Sequence, residues 1–430
     1  MDLTTHRLPG LVLTDHEFTV PLDHAKPDGE KITVFAREVV APKKEHETLP
    51  WLVFFQGGPG FGSPRPGGCN GWLKRALKDY RVLLLDQRGT GRSSPVTHQT
   101  LARLGTPQTQ ADYLKHFRAD SIVGDAEWIR NELVGEGVPW SGLGQSYGGF
   151  CLTTYLSLNP DGLKEAMFTG GLPSIDRPAD EVYRAAYPRV IEKNRRYFER
   201  YPDDAKRARE IVDYLDNHEV HLPNGERLSS RRFQQLGFSF GASDGFESVH
   251  YLLEGAFVEG AFGRELSYGF LRGFENALSF DTNPIYAILH ESIYCQQAAS
   301  DWSAQRVRAE FPQFDLSPGK PVLFTGEMIY PWMFDEIEPL RSLEETAEIL
   351  AAYDGWPRLY DSATLQKTTA PCAAAVYYND MYVDRVHSEQ TASNIAGIKL
   401  WVTSQYEHNG LRADGEAVLG RLLDMLHGEA

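Results

Sequence analysis

Gly144-Gln145-Ser146-Tyr147-Gly148, extended by Gly149, is the stretch on which the reading of the fold turns. It fits the pattern G-x-S-x-G, which sets a serine on a sharp strand-to-helix turn. Small residues two positions to either side let the strand and helix approach without collision. So short a pattern also arises by chance in glycine-rich turns, and its flanks decide. Residues 139–144 read as a buried strand, and Tyr147 to Leu158 as a helix closed by Asn159-Pro160. The Ser146 hydroxyl is therefore expected above a sheet edge, as a nucleophile.

Outward from the elbow, Trp51 to Phe55 is an apolar run that ends at Gly57, and Arg81 to Leu85 is another that ends at Asp86. Continuous runs of this kind suit strands buried on both faces of a parallel sheet. Residues 31–40 alternate and predict a half-exposed strand, and residues 164–168 one more. Trp72 to Lys78 and Ala119 to Leu133 have helical character; Ile122, Ala126, Ile129 and Leu133 share one side of the second. This alternation predicts an α/β fold with a mostly parallel, doubly wound sheet. The pattern changes after Gly170-Gly171-Leu172-Pro173. Residues 174–312 carry Arg, Glu, Tyr and Phe at helical spacing, with amphipathic helices expected over 191–201 and 205–215. Strand signals return at 320–324, 373–378 and 398–402, and a helix over 413–427 closes the chain. The expected organisation is a first part of the core over 1–172, a mostly helical cap over 173–318, and a return to the core over 319–430. Part of 325–370 is free to pack with the cap.

A second motif, Gln56-Gly57-Gly58-Pro59-Gly60, follows the 51–55 strand. A serine nucleophile needs backbone N–H groups aimed at the oxyanion that forms on attack. Gly57 and Tyr147 are the expected donors, because a side chain at the first would block approach and the second follows the nucleophile. A phosphate loop would need Gly-Lys-Ser/Thr, which Gly62-Ser63-Pro64 lacks. The turn-rich loop from Asp86 to Ser93 reads as an Arg–carboxylate network that supports the oxyanion strand.

The acid and base of such a triad follow the serine in chain order. His408 sits just after the 398–402 strand and before the last helix, where the base belongs. Asp380 and Asp384 compete for the acid; Asp380 comes directly after a strand end and is favoured, while Asp384 is placed to cap the next helix. His290-Glu291 is not followed by the second histidine of H-E-x-x-H, which argues against a zinc hydrolase. No metal or cofactor is expected.

The chain of 430 residues carries a net charge of −16, which argues against a nucleic-acid partner because phosphates would be repelled. Its four cysteines form no C-x-x-C pair, and Cys151 behind the elbow reads as a packed core thiol. Residues 1–6 lack a basic segment followed by an apolar one, and no stretch reaches membrane-spanning length. A cytoplasmic enzyme with no membrane partner is expected.

The motifs at Gly57 to Gly62, Asp86 to Ser93, Gly144 to Gly149 and Gly326-Glu327-Met328-Ile329-Tyr330-Pro331-Trp332, with the segments 222–226 and 232–254, resemble the prolyl aminopeptidases (proline iminopeptidases) in their longer form. The likeness spans nearly the whole chain, and the cap segments are its more particular part. It implies an α/β-hydrolase core with an inserted helical cap. It also implies a serine exopeptidase that releases N-terminal proline from peptides. Glu291 and Glu327 look like the cap glutamates that read the free N-terminal nitrogen. The family's usual His-Gly-Gly-Pro is Gln56-Gly57-Gly58-Pro59 here. A broader aminopeptidase or a carboxylesterase of the same fold is the alternative.

Overall fold

The computed structural model describes residues 4–261, 263–277 and 280–429. Eleven strands run through them: β1 (Thr4–Leu8), β2 (Leu11–Pro21), β3 (Lys31–Val40), β4 (Trp51–Phe55), β5 (Arg81–Leu85), β6 (Trp140–Gln145), β7 (Leu163–Thr169), β8 (Phe257–Gly260), β9 (Gly263–Leu266), β10 (Cys372–Tyr377) and β11 (Lys399–Thr403). Nine of them form one sheet in the order β1-β2-β3-β5-β4-β6-β7-β10-β11. The first four of that order pair antiparallel. From β5 to β11 every pairing is parallel.

The apolar runs explain the layering. In β4, Leu52 and Phe54 join one core cluster while Val53 and Phe55 join the other, so no face is left for water. The helix Tyr147–Leu158 lies against the face of Val53 and Phe55 with Ala119–Leu133 packed on it. Gly71–Ala76 and Gly415–His427 cover the face of Leu52 and Phe54. The chain winds from β4 to β5 on one side and reaches β6 on the other, so the sheet reverses its winding beside β4. A crevice at the carboxyl ends of such strands is where ligands bind in open α/β sheets.

Between β7 and β10 the chain leaves the sheet. Long helices Ala179–Arg200 and Pro202–Asn217, several shorter ones and the small hairpin β8–β9 occupy this span. Tyr197 anchors an aromatic cluster there with Phe240, Phe246 and Phe324.

Several elements differ from expectation, the hairpin β8–β9 within the helical span among them. The antiparallel pair β1 and β2 was not anticipated, because their short alternations carry several charged and polar residues. Residues 320–324 form no strand. Asn194 bonds both the N–H and the C=O of Phe324, each at 2.8 Å. Gln234 donates to the Leu323 carbonyl and accepts from the Thr325 N–H through its own carbonyl, both at 2.8 Å. Side-chain amides and the helix end thus take the backbone groups that a sheet neighbour would need.

Candidate active site

At the end of β6 the chain turns through Ser146, whose φ of 56° and ψ of −126° no ordinary helix or strand residue adopts. The strained turn is held on both sides. The Ser146 N–H donates to the Thr169 carbonyl of β7 at 3.0 Å, and Gly149 N–H donates to the Ser146 carbonyl at 2.7 Å. A Cβ on Gly148 would stand 1.9 Å from the Phe55 carbonyl oxygen, so only glycine lets the helix start against the end of β4. The same holds for Gly57, where a Cβ would lie 3.0 Å from the Ser146 Cβ and 2.7 Å from Gln145 Oε1. The structure thus brings Gly57, Ser146 and Tyr147 together.

The loop after β5 holds this arrangement in place. Gln87 donates to the Gln56 carbonyl at 2.9 Å. Buried Asp86 accepts from the Ser63 and Arg92 backbone N–H groups and from Arg65. Arg88, also buried, pairs with Asp125 and donates to the carbonyls of Leu22, Pro21 and His116. The Arg–carboxylate network expected for 86–93 is present and lies beneath the Gly57 loop.

On the other side of Ser146, His408 Nδ1 lies 2.7 Å from Asp380 Oδ2. Asp380 Oδ1 accepts from the N–H groups of Tyr382 and Val383. With Asp380 as the partner of Nδ1, the tautomer that carries its proton there leaves Nε2 as an acceptor. Asp384 is engaged elsewhere: it caps the helix Arg385–Ala392 through the N–H groups of Val386 and His387 and accepts from Arg189. His408 is also held from the cap. Its N–H donates to the Gly241 carbonyl at 3.1 Å and the neighbouring Glu407 accepts from Lys193 at 2.5 Å, while from the loop after β10 the Tyr382 ring meets the imidazole edge-on at 4.8 Å. Burial works against the imidazolium, yet Asp380 and then Glu327 outweigh it and raise the His408 pKa above its usual value.

These groups open on a cavity of about 220 Å³. Gly57, Ser146 and His408 line its floor, and Phe238, Tyr286 and Glu327 its wall; Phe61, Tyr382 and Arg412 complete the rim. That is smaller than the roughly 300–1,000 Å³ of a site for a drug-sized ligand. The Tyr286 hydroxyl donates to Glu327 Oε1 at 2.6 Å. Burial pushes the Glu327 carboxyl up to about 7, with the Tyr286 hydroxyl and His408 acting in the opposite direction.

Glu291 is placed differently. It is not among the residues lining the cavity. Its Oε2 accepts from Ser303 N–H at 3.0 Å and its Oε1 from Ala304 N–H at 2.8 Å, at the start of the helix Ser303–Arg308. Burial pushes its carboxyl to about 7 as well, with these backbone donors opposing. Of the two glutamates singled out in the sequence, the structure brings Glu327 to Ser146 and His408, and leaves Glu291 behind the wall.

Phe61, Phe238, Tyr286, Tyr382 and Arg412 were not singled out from the sequence. Their segments are rich in aromatic residues throughout, and nothing in the local pattern separates a cavity ring from a core ring. Arg412, four residues after His408, was within reach of a spacing argument.

Residues 50–256 match the family model for the alpha/beta hydrolase fold. A proline iminopeptidase of Aeromonas sobria is 51% identical over 417 residues, covering 97% of this chain and 97% of its own. A proline iminopeptidase of Aspergillus aculeatus is 35% identical over 431 residues, covering 98% and 95%. Among solved structures, a proline iminopeptidase of Mycobacterium smegmatis covers 96% of this chain and 98% of its own at 14% identity and a TM-score of 0.42.

Proposed function

The chain belongs to the proline iminopeptidases of the α/β-hydrolase fold, and from that relationship we propose that it releases N-terminal proline from peptides with Ser146 as nucleophile, His408 as general base and Asp380 as the orienting acid. One observation supports the reading above the rest. A buried carboxylate, Glu327, lines the same small cavity as the serine and the Asp380-paired histidine. A secondary ammonium drawn out of water needs such an anionic acceptor.

In this mechanism the substrate amine sits at Glu327, and its ring lies among Phe238, Tyr286 and Phe61. Ser146 Oγ attacks the carbonyl carbon of the terminal proline while its proton passes to His408 Nε2. The carbonyl oxygen gains the negative charge, facing the N–H groups of Gly57 and Tyr147. His408 returns the proton to the departing amine as the C–N bond breaks, leaving a prolyl ester on Ser146. Water then gives His408 a proton and adds to the ester; His408 passes that proton to Ser146 Oγ as the acyl C–O bond breaks, and free proline and Ser146 are restored. Asp380 keeps the proton on Nδ1 and stabilises the imidazolium at each transfer. The substrates are peptides with a free N-terminus. A cytoplasmic location belongs to the same reading, supported by four cysteines that all stand as free thiols; no helix among the described residues is long and apolar enough to cross a membrane.

A panel of aminoacyl-naphthylamides with wild type and Ser146→Ala tests the reading. Proline release from Pro-naphthylamide, none from its N-acetylated form and none by Ser146→Ala is the expected result. Equal turnover of blocked and free substrates overturns the amine-reading role. Faster turnover of p-nitrophenyl esters than of any amide favours an esterase.

A further inference from the structure

The cavity has two charged ends. Glu327 stands inside, on the cap wall. Arg412 stands at the rim, exposed, on the short helical turn Gly410–Ala413 that follows His408. It is the one arginine or lysine among the described residues lining the cavity. Its turn is tied to the cap: Asn409 accepts from the Ser243 N–H at 3.0 Å, and the His408 N–H bonds the Gly241 carbonyl. The guanidinium has no hydrogen-bond or ion-pair partner among the described residues, although the protein carries sixteen more negative than positive charges. Five unengaged donors at the mouth of a site suit a carboxylate.

Resting on the reading of the site given above, we propose that Arg412 receives the carboxylate of the residue that follows the terminal proline, and so selects Pro-X dipeptides among the substrates. With the proline nitrogen at Glu327 and its carbonyl at Ser146, the leaving residue points out of the cavity. Two extended residues span only about 7 Å, so the carboxyl end of a dipeptide leaves the floor at the rim, where Arg412 stands. Without that cation the free carboxylate would meet a negative protein close to Glu327 and Asp380. A dipeptide acid would then be disfavoured against its neutral amide. The same chemistry could come from an acidic side chain on the second residue, and the experiment separates the two sources.

Steady-state kcat/KM is measured for Pro-Gly, Pro-Gly-amide and Pro-Asp-amide with wild type, Arg412→Gln and Arg412→Lys, at low and high ionic strength. Equal thermal melting of the three proteins shows that they fold alike. Wild type is expected to favour Pro-Gly over Pro-Gly-amide by about fivefold, in the range of a good exposed ion pair. That ratio falls to one or below in Arg412→Gln, is partly kept in Arg412→Lys, and shrinks with added salt. The same acid-to-amide ratio in wild type and Arg412→Gln overturns the proposal. A gain for Pro-Asp-amide alone overturns the assignment to the α-carboxylate. Failure of wild type to release proline from all three would instead fell the reading beneath it.

Discussion

The floor of the cavity and its wall are built by different means. The floor hangs from strand ends: Ser146 follows β6, Gly57 follows β4, and Asp380 and His408 follow β10 and β11. Backbone bonds fix those ends, so the reacting atoms inherit the rigidity of the sheet. The wall has no such frame. Phe238, Tyr286 and Glu327 come from three separate cap segments, and their side chains meet through ring packing and one side-chain bond. Lys193–Glu407 and Arg189–Asp384 then pin the cap to the two loops that carry His408 and Asp380. Under the proposed function the difference teaches a division of labour: the sheet sets what chemistry is done, and the cap sets on whom. Substitutions on the floor should therefore stop turnover of every substrate, and those on the wall should discriminate. Asp380→Asn carries the largest expected effect after loss of the serine. An asparagine cannot hold the proton on Nδ1 as a carboxylate does, and kcat should fall on the order of 10⁴-fold for amides and esters alike. A loss confined to proline amides would break the comparison.

Glu327→Gln probes the wall. It keeps the shape and the Tyr286 contact but removes the charge proposed to meet the amine. We expect kcat/KM for Pro-naphthylamide to fall on the order of 10²-fold, while fluorophosphonate still labels Ser146. The pH profile sharpens this. The proposed mechanism requires Glu327 ionised and His408 neutral, so kcat/KM in wild type should rise with pH through about 7, where Glu327 titrates. Glu327 also helps to raise the His408 pKa. Its removal should move the acid limb of the residual activity to lower pH. A limb that stays in place would separate Glu327 electrostatically from the base.

The floor was legible in the sequence because each of its parts is local. An elbow needs its glycines within a few residues, and a triad acid or base announces itself by lying just past an apolar run. Helix capping by Asp384 could be foreseen for the same reason. The wall could not be read this way. Glu291 and Glu327 both sit among apolar residues, and nothing nearby says which faces the cavity. What separates them is the helix start at Ser303, twelve residues beyond Glu291 in the chain and placed by the packing of the cap. The segment 320–324 misled in the same sense: its apolar run was real, but the amide of Asn194, about 130 residues earlier, takes the bonds that would have made it a strand.

Glu291→Gln should give the smallest kinetic effect, and it tests the boundary of the wall. Glutamine keeps one acceptor but turns an amide donor toward a backbone N–H, so the start of the helix Ser303–Arg308 loses one of its two contacts. The expected cost is about 1–2 kcal/mol of stability, with KM for proline amides unchanged. The effect should also depend on pH in a set direction. Burial raises the Glu291 carboxyl from its ordinary 4.5 to about 7 in the folded protein, so the folded state holds this proton more tightly than the unfolded chain. The stability linked to that proton is complete below the unfolded pKa and is lost as pH rises through about 7. Glutamine has no such proton, so the gap in melting temperature between wild type and variant should be wider at pH 5 than at pH 8. A gap that widens with pH would mean that the ionised carboxylate is the form that holds the helix. A raised KM would instead move Glu291 from behind the wall to the cavity itself.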